Sequence, residues 1–393
     1  MGNRTARLIL SSAVVLLAFA ATLSAGEAQE AIDFQPEGFG ANSRGGEGGR
    51  VITVTSLADD GPGSLREALT AEDPRIVEFA VEGVIELRSR IRVSSGRVTV
   101  DGSTAPGQGI TLMNHGIQFV GDCDDIIVRH LRVRVLEGGE SGDCLLFWGV
   151  DGGTVERVLV DHCSLMWATD EVLNTWGQVR DLTCQWTIIA EGQSEADHPK
   201  GFHSMGWLSG NKSDRITIHH CLFAHNADRN PLISGGVYDL VNNVIYNWGN
   251  NNASKIAQGA HANVVNNHYI AGPQSAGAKG YILPQEPDQG TKVYPSGNVG
   301  PLTPTGTEDP WLNVTWFEHT DQGWIKHQTA PEIFRATERF DAPLVRTHSA
   351  QEAYELVLTH VGPKVRDADD VRVIREVRER TGSVGRRSGG NTQ

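Results

Sequence analysis

A four-residue motif returns along the middle of the chain at a nearly constant interval, and this repeat limits the fold more than any other feature. Val160-Asp161-His162-Cys163, Cys184-Gln185-Trp186-Thr187, Ile218-His219-His220-Cys221, Val241-Asn242-Asn243-Val244 and Val265-Asn266-Asn267-His268 align with their second positions at 161, 185, 219, 242 and 266. The intervals are 24, 34, 23 and 24 residues, a unit of about 23 with one insertion. A unit so short cannot enclose a core alone and must stack on its neighbours. Short β-rich runs at 51–55, 76–81 and 126–135 are separated by turn residues, and long helical periodicity is absent before about residue 340. The leucine consensus of a leucine-rich repeat is missing. The expected fold is all-β: a right-handed parallel β-helix. The alignment predicts that Val160, Cys184, Ile218, Val241 and Val265 point inward, and that Asn243 and Asn267 hydrogen-bond from coil to coil. It sets His219 and His220 beside the asparagine pairs, as ladder residues rather than metal ligands.

The ends read differently. Arg4 and Arg7 precede an apolar run over 8–23 and small residues up to Ala28, the layout of a secretory signal peptide over 1–28. The run is short for a membrane span. The β-helix is assigned 29–335, with an extended Gly/Pro-rich loop over 272–331 carrying Trp311, Trp316 and Trp324. Ser64 and Glu67 form a capping box that opens a short N-terminal capping helix within 61–70. Ser349 and Glu352 open a second helix, apolar at Ala350, Ala353, Tyr354, Val357, Leu358 and Val361 and closed by Gly362-Pro363. A charged helix over 367–380 completes a C-terminal extension, 336–381, packed on the solenoid, and 382–393 reads as a disordered tail.

The formal net charge is −14, and loss of the leader makes it one unit more negative. Such a surface argues against nucleic acid as a partner. It also repels a polyanion unless a cation bridges the two or a basic patch acts locally. The five cysteines, Cys123, Cys144, Cys163, Cys184 and Cys221, leave at least one unpaired and show no Cys-x-x-Cys spacing.

Three segments carry a resemblance: Val160–Val172, with Cys163-Ser164-Leu165-Met166-Trp167-Ala168-Thr169-Asp170-Glu171 at its centre; His219-His220-Cys221-Leu222-Phe223-Ala224-His225-Asn226 leading to Arg229-Asn230-Pro231; and Asn242-Asn243-Val244-Ile245-Tyr246-Asn247-Trp248. Together they resemble bacterial pectate lyases of polysaccharide lyase family one, over roughly residues 35 to 380. The resemblance implies a secreted enzyme, extracellular or periplasmic, that cleaves pectate or a related polyuronate by calcium-assisted β-elimination. It implies calcium (Ca2+) ligands at Asp143, Asp170 and Asn174, with Glu171 a spare carboxylate, and a catalytic arginine at Arg229. Lys200 matches a lysine that contacts substrate carboxylate, and the flanking His198 and His203 are expected to bind sugar hydroxyls. The expected partner is an acidic polysaccharide, with no nucleic acid, no membrane after leader removal, and a monomeric state.

The residue types suit that chemistry. Removing a weakly acidic C5 proton beside a carboxylate needs a base and a cation on the carboxylate, and calcium favours hard oxygen ligands. Arginine is an unusual base, so Arg229 acts as a transient base or as a stabiliser of developing charge. Four positions depart from the family pattern: Leu232 and Ser234 where basic residues often stand, Ser141 where some members carry an aspartate, and Asn174 in place of Asp. They leave open a lyase for a different acidic glycan, or a weakened β-helix that binds cell-wall polysaccharide. Asp124-Asp125 invites a paired-carboxylate hydrolase, but the surrounding polygalacturonase pattern is missing.

Overall fold

Apolar residues alternating with polar ones in runs of three to seven, broken by turn residues, build three parallel sheets from one repeated coil. The structure, a computed structural model, describes residues 1–2, 34–136, 142–196, 198–249, 252–275, 281–286, 289–320, 323–327 and 331–385. The chain divides into Met1–Gln35 and Pro36–Gln393. The signal-peptide expectation for 1–28 lies outside the described residues apart from Met1 and Gly2.

Sheet 1 has ten strands, from Arg50–Val54 to Lys292–Ser296; sheets 2 and 3 have eight each, starting at Gly83–Glu86 and Ile91–Val93. Every strand in them pairs in parallel with its equivalent one coil on, the parallel β-helix that the repeat predicts. Inward side chains of all three sheets form one continuous apolar core. The helix α1 (Leu65–Thr70) buries Leu65, Ala68 and Leu69 against the first coils. Its last carbonyls are met by Arg75, a buried arginine whose guanidinium donates to Ala68 O at 3.1 Å and Leu69 O at 2.6 Å. The helices α2 (Ala350–His360) and α3 (Ala368–Glu379) cover the outer face of sheet 2, packing Val357, Leu358, Val373 and Val377 on Ile188, Leu222 and Val244.

Three expectations are corrected. The register pairs Val160 with Cys184, Cys184 with Ile218, Ile218 with Leu240 and Leu240 with Val264. The sequence alignment is thus one residue late in its last two coils, and in a strand a slip of one reverses the face. Val241 and Val265 point out of the solenoid and pack on Val345, and His219 pairs with Val241 rather than with an asparagine. The left-handed corner residues His162, Trp186, His220, Asn242 and Asn266 (φ 49 to 56°) give the true alignment. Secondly, Ile282–Pro284 and Lys292–Ser296 add strands to sheets 3 and 1 inside the segment 272–331 assigned to a loop. Pro284 and Pro295 fit because both strands are the last of their sheets. An antiparallel hairpin, Trp316–Thr320 with Gly323–His327, follows. Thirdly, the assigned tail begins in contact with the solenoid: Gly385 N–H donates to His225 O at 3.0 Å, and Ser194 Oγ donates to Gly385 O at 3.4 Å. Residues 386–393 lie outside the described residues.

All five cysteines are unpaired core residues. Burial pushes the thiols of Cys123, Cys144 and Cys163 up to about 12, so they are inert packing groups.

Candidate active site

Sheet 3 orders the candidate residues. Its strands Leu145–Gly149, Glu171–Gly177, Met205–Gly210 and Leu232–Ser234 lie side by side, and Asp143, Asp170, Lys200 and Arg229 each precede one of them. Residues far apart in sequence therefore share one edge of the sheet, beside a groove of about 530 Å³. Asp143, Asp170, Asn174, Lys200 and Arg229 all line it, and so does Glu171.

Carboxylate oxygens of Asp143, Asp170 and Glu171 lie within 4.8 Å of one another. Asn174 donates its amide to Asp143 at 3.5 Å and to Glu171 at 3.3 Å, while its buried Oδ1 has no hydrogen-bond partner among the described residues. Asp143 is 6% exposed. Burial, reinforced by the charge of Asp170, pushes its carboxyl well above the ordinary range. Burial also opposes ionisation of Asp170, but the His203 hydrogen bond and the charges of His203, His198 and Lys200 outweigh it and hold this carboxyl below the ordinary range. The two aspartates are thus driven apart by their surroundings.

Arg229 sits in the left-handed region at φ 59°, a conformation a long side chain rarely adopts without a constraint. Its N–H donates to Asp228 Oδ1 at 2.7 Å, and its carbonyl accepts from Trp207 N–H at 2.7 Å. The guanidinium is paired with Glu171. Burial pulls its pKa below the ordinary value, against the opposing pull of Asp170 and Asp143.

His198 and His203 were expected to meet the sugar, and their geometry differs. Both are buried, their rings stack at 4.0 Å, and neither lines the groove. His203 Nε2 contacts Asp170 Oδ1 at 2.8 Å and His198 Nε2 lies 3.6 Å from the same oxygen. His198 Nδ1 accepts from Lys200 N–H at 3.2 Å, so the two rings connect Lys200 to Asp170. Both rings are engaged with Asp170 and Lys200 rather than presented to the groove.

Sequence reasoning missed Arg90, Gln118 and the register-paired Trp148 and Trp176 on the groove. Arg90 precedes the strand Ile91–Val93, two places in the stack from Leu145–Gly149, and correct coil alignment through 90–93 would have found it. Leu232 and Ser234 line the groove; Ser141 lies outside the described residues. Asp124 and Asp125 both engage Arg157, the latter at 3.1 Å, in strand Cys123–Arg129 of sheet 1, away from this site.

No protein-family profile matches the chain. Among curated proteins it is 42% identical over 243 residues to probable pectate lyase C of Aspergillus fumigatus, covering 61% of this chain and 54% of that protein. The chain therefore spans about half the length of that relative. It is 36% identical over 351 residues to probable pectate lyase C of Aspergillus terreus, covering 87% and 76% respectively. Among solved structures, the major cedar-pollen allergen Jun a 1 superposes with a TM-score of 0.58 at 18% identity, over 83% of this chain and 92% of its own. A pectate lyase from Bacillus sp. N165 in complex with trigalacturonate gives 0.52 at 18%, over 84% and 99%. These structural likenesses establish the fold; the extent and identity of the Aspergillus terreus match establish that the chain belongs to the pectate lyase family.

Proposed function

We propose that this chain is a polysaccharide lyase that cleaves pectate, or a related polyuronate, by β-elimination to unsaturated oligosaccharides. The observation that carries the reading is the meeting of three carboxylates within 4.8 Å beside a largely buried arginine, on one groove. Asp143, Asp170 and Glu171 with Asn174 Oδ1 make a hard-oxygen donor set of the kind calcium takes. Bound there, calcium would neutralise the substrate carboxylate and make the adjacent C5 proton more acidic. His203 and His198 fix the direction of Asp170 from behind. Lys200 and Arg90 add positive charge along the same rim to orient substrate carboxylates. Arg229, its protonated form disfavoured by burial, takes the C5 proton or stabilises the charge that develops as it leaves. The electron pair forms the C4–C5 double bond and the glycosidic oxygen departs from C4.

The leader assigned to 1–28 fits an extracellular or periplasmic enzyme. Among the described residues no helix is long and apolar enough to cross a membrane. The reading is tested by incubating purified protein with several uronans, with and without calcium, and following the ultraviolet absorbance of the unsaturated product. Absorbance that needs both uronan and calcium supports it. Reducing ends without absorbance mean hydrolysis, and binding with neither product means a carbohydrate-binding protein.

A further inference from the structure

Among the described residues of the groove, charge is confined to one side. Arg90, Asp143, Asp170, Lys200 and Arg229 precede the strands of sheet 3, and Glu171 is the first residue of its strand. Beyond it the described lining of the groove is uncharged; Arg92, in register with Gln118 at one end of the outer face, stands outside that lining. Leu146, Asn174, Leu208 and Leu232 form one row in register, and Trp148 and Trp176 pair in the next. Lys255 continues the leucine row, but its ammonium is paired with Asp228. Five residues separate Glu171 from Trp176, about 17 Å of strand. That exceeds one sugar ring, so the Trp148–Trp176 pair meets a different unit of a polymer from the rim, with the row of Asn174, Leu208 and Leu232 between them.

An ionised carboxylate laid against Leu208, Leu232 and Trp176 loses water and gains no cation in exchange. An uncharged unit has no charge to desolvate, gains apolar contact and can set a pyranose face on indole. We propose that the floor binds an uncharged unit beside the ionised uronate held at the rim, so that the preferred substrate is a uronan whose carboxylates are partly masked. Two sources share this chemistry: a partly methyl-esterified uronan, and a backbone in which uronate alternates with a neutral sugar. The inference rests on the lyase reading and sharpens it.

The test compares kcat/KM for unsaturated product at fixed calcium on three polymers of matched length: fully de-esterified polygalacturonate, the same polymer partly methyl-esterified, and an alternating uronate–neutral sugar chain. At least one masked polymer should exceed the fully ionised one by about tenfold, the scale on which an apolar pocket discriminates, and the faster one identifies the source. Leu232→Lys should shrink that ratio about tenfold, chiefly through KM on the ionised polymer. If the ionised polymer is cleaved as fast as both masked ones or faster, the inference is wrong while the lyase reading stands; this comparison needs only the unaltered protein. If no polymer gives product, the lyase reading itself fails and the inference falls with it.

Discussion

At the corner between sheets 1 and 2, Asn243, Asn267 and Asn298 stack in successive coils. Each accepts a backbone N–H from the coil before it, at 2.9 to 3.0 Å, and donates to a carbonyl of Ile218, Leu240 or Val264. At the start of sheet 3 the same stacking brings Asp143, Asp170 and Glu171 within 4.8 Å, with like charges facing and the Oδ1 of Asn174 unmatched. Both rows are polar and largely buried, and both exist because parallel coils put equivalent positions in line. The first closes its hydrogen bonds within the protein and holds the coils together. The second sets buried Asp143 against the like charge of Asp170, which costs stability and holds a site ready for a cation and an acidic sugar. Position in the stack decides which residues meet; whether their chemistry is self-satisfying decides what the meeting is for.

The contrast predicts that the rows fail differently. Arg229→Lys keeps the charge but loses the planar fork and its placement. It should lower kcat by at least about a hundredfold, roughly 2.7 kcal/mol of barrier, with KM and melting temperature nearly unchanged. Steady-state kinetics beside a thermal melt would show it; near-normal kcat with a raised KM would make Arg229 a binding residue only. Asn243→Ala should do the reverse. It strands the Cys221 N–H and the Ile218 carbonyl inside the stack. Denaturant unfolding should lose about 2 kcal/mol while kcat of the folded fraction holds. An unchanged midpoint would show that the ladder does not bind the coils together.

The sequence announces the stack because a repeat of about 23 residues is a periodic signal, and the capping boxes at Ser64 and Ser349 are local ones. The full box forms at Ser349 with Glu352; at Ser64 the hydroxyl accepts from Glu67 N–H, but the Glu67 carboxylate accepts from the N–H of Gly63 instead of that of Ser64. The register of the last two coils was not legible, because Asn242-Asn243 and Asn266-Asn267 offer two equally polar positions and only the backbone at φ near 50° tells which one turns the corner. At the rim, Asp143, Asp170, Asn174, Lys200 and Arg229 reached one groove because the motifs fix their coils. His198 and His203 were placed on the groove by proximity in sequence, yet their direction depends on a contact with Asp170, 28 and 33 residues away in the chain. Arg75 beneath α1 and Arg134, bound to Asp370 at 2.9 Å, are buried cations whose partners lie in other elements, and no local pattern marks them.

The smallest expected effect reaches the contrast most directly. Burial and the charge of Asp170 raise the Asp143 carboxyl above its unfolded value, so ionising it costs the folded state stability as pH rises. Asp143→Asn keeps an oxygen for the N–H of Glu171, now 3.1 Å from Asp143 Oδ1, and removes the charge. In excess chelator at neutral pH the variant should melt about 2 °C above the parent, a gain of about 1 kcal/mol. On adding calcium the parent should gain stability and the variant should gain little, with the heat of calcium binding reduced in parallel. A variant that melts lower than the parent in chelator and still responds fully to calcium would contradict the reading of the rim as a row of charges held for a cation.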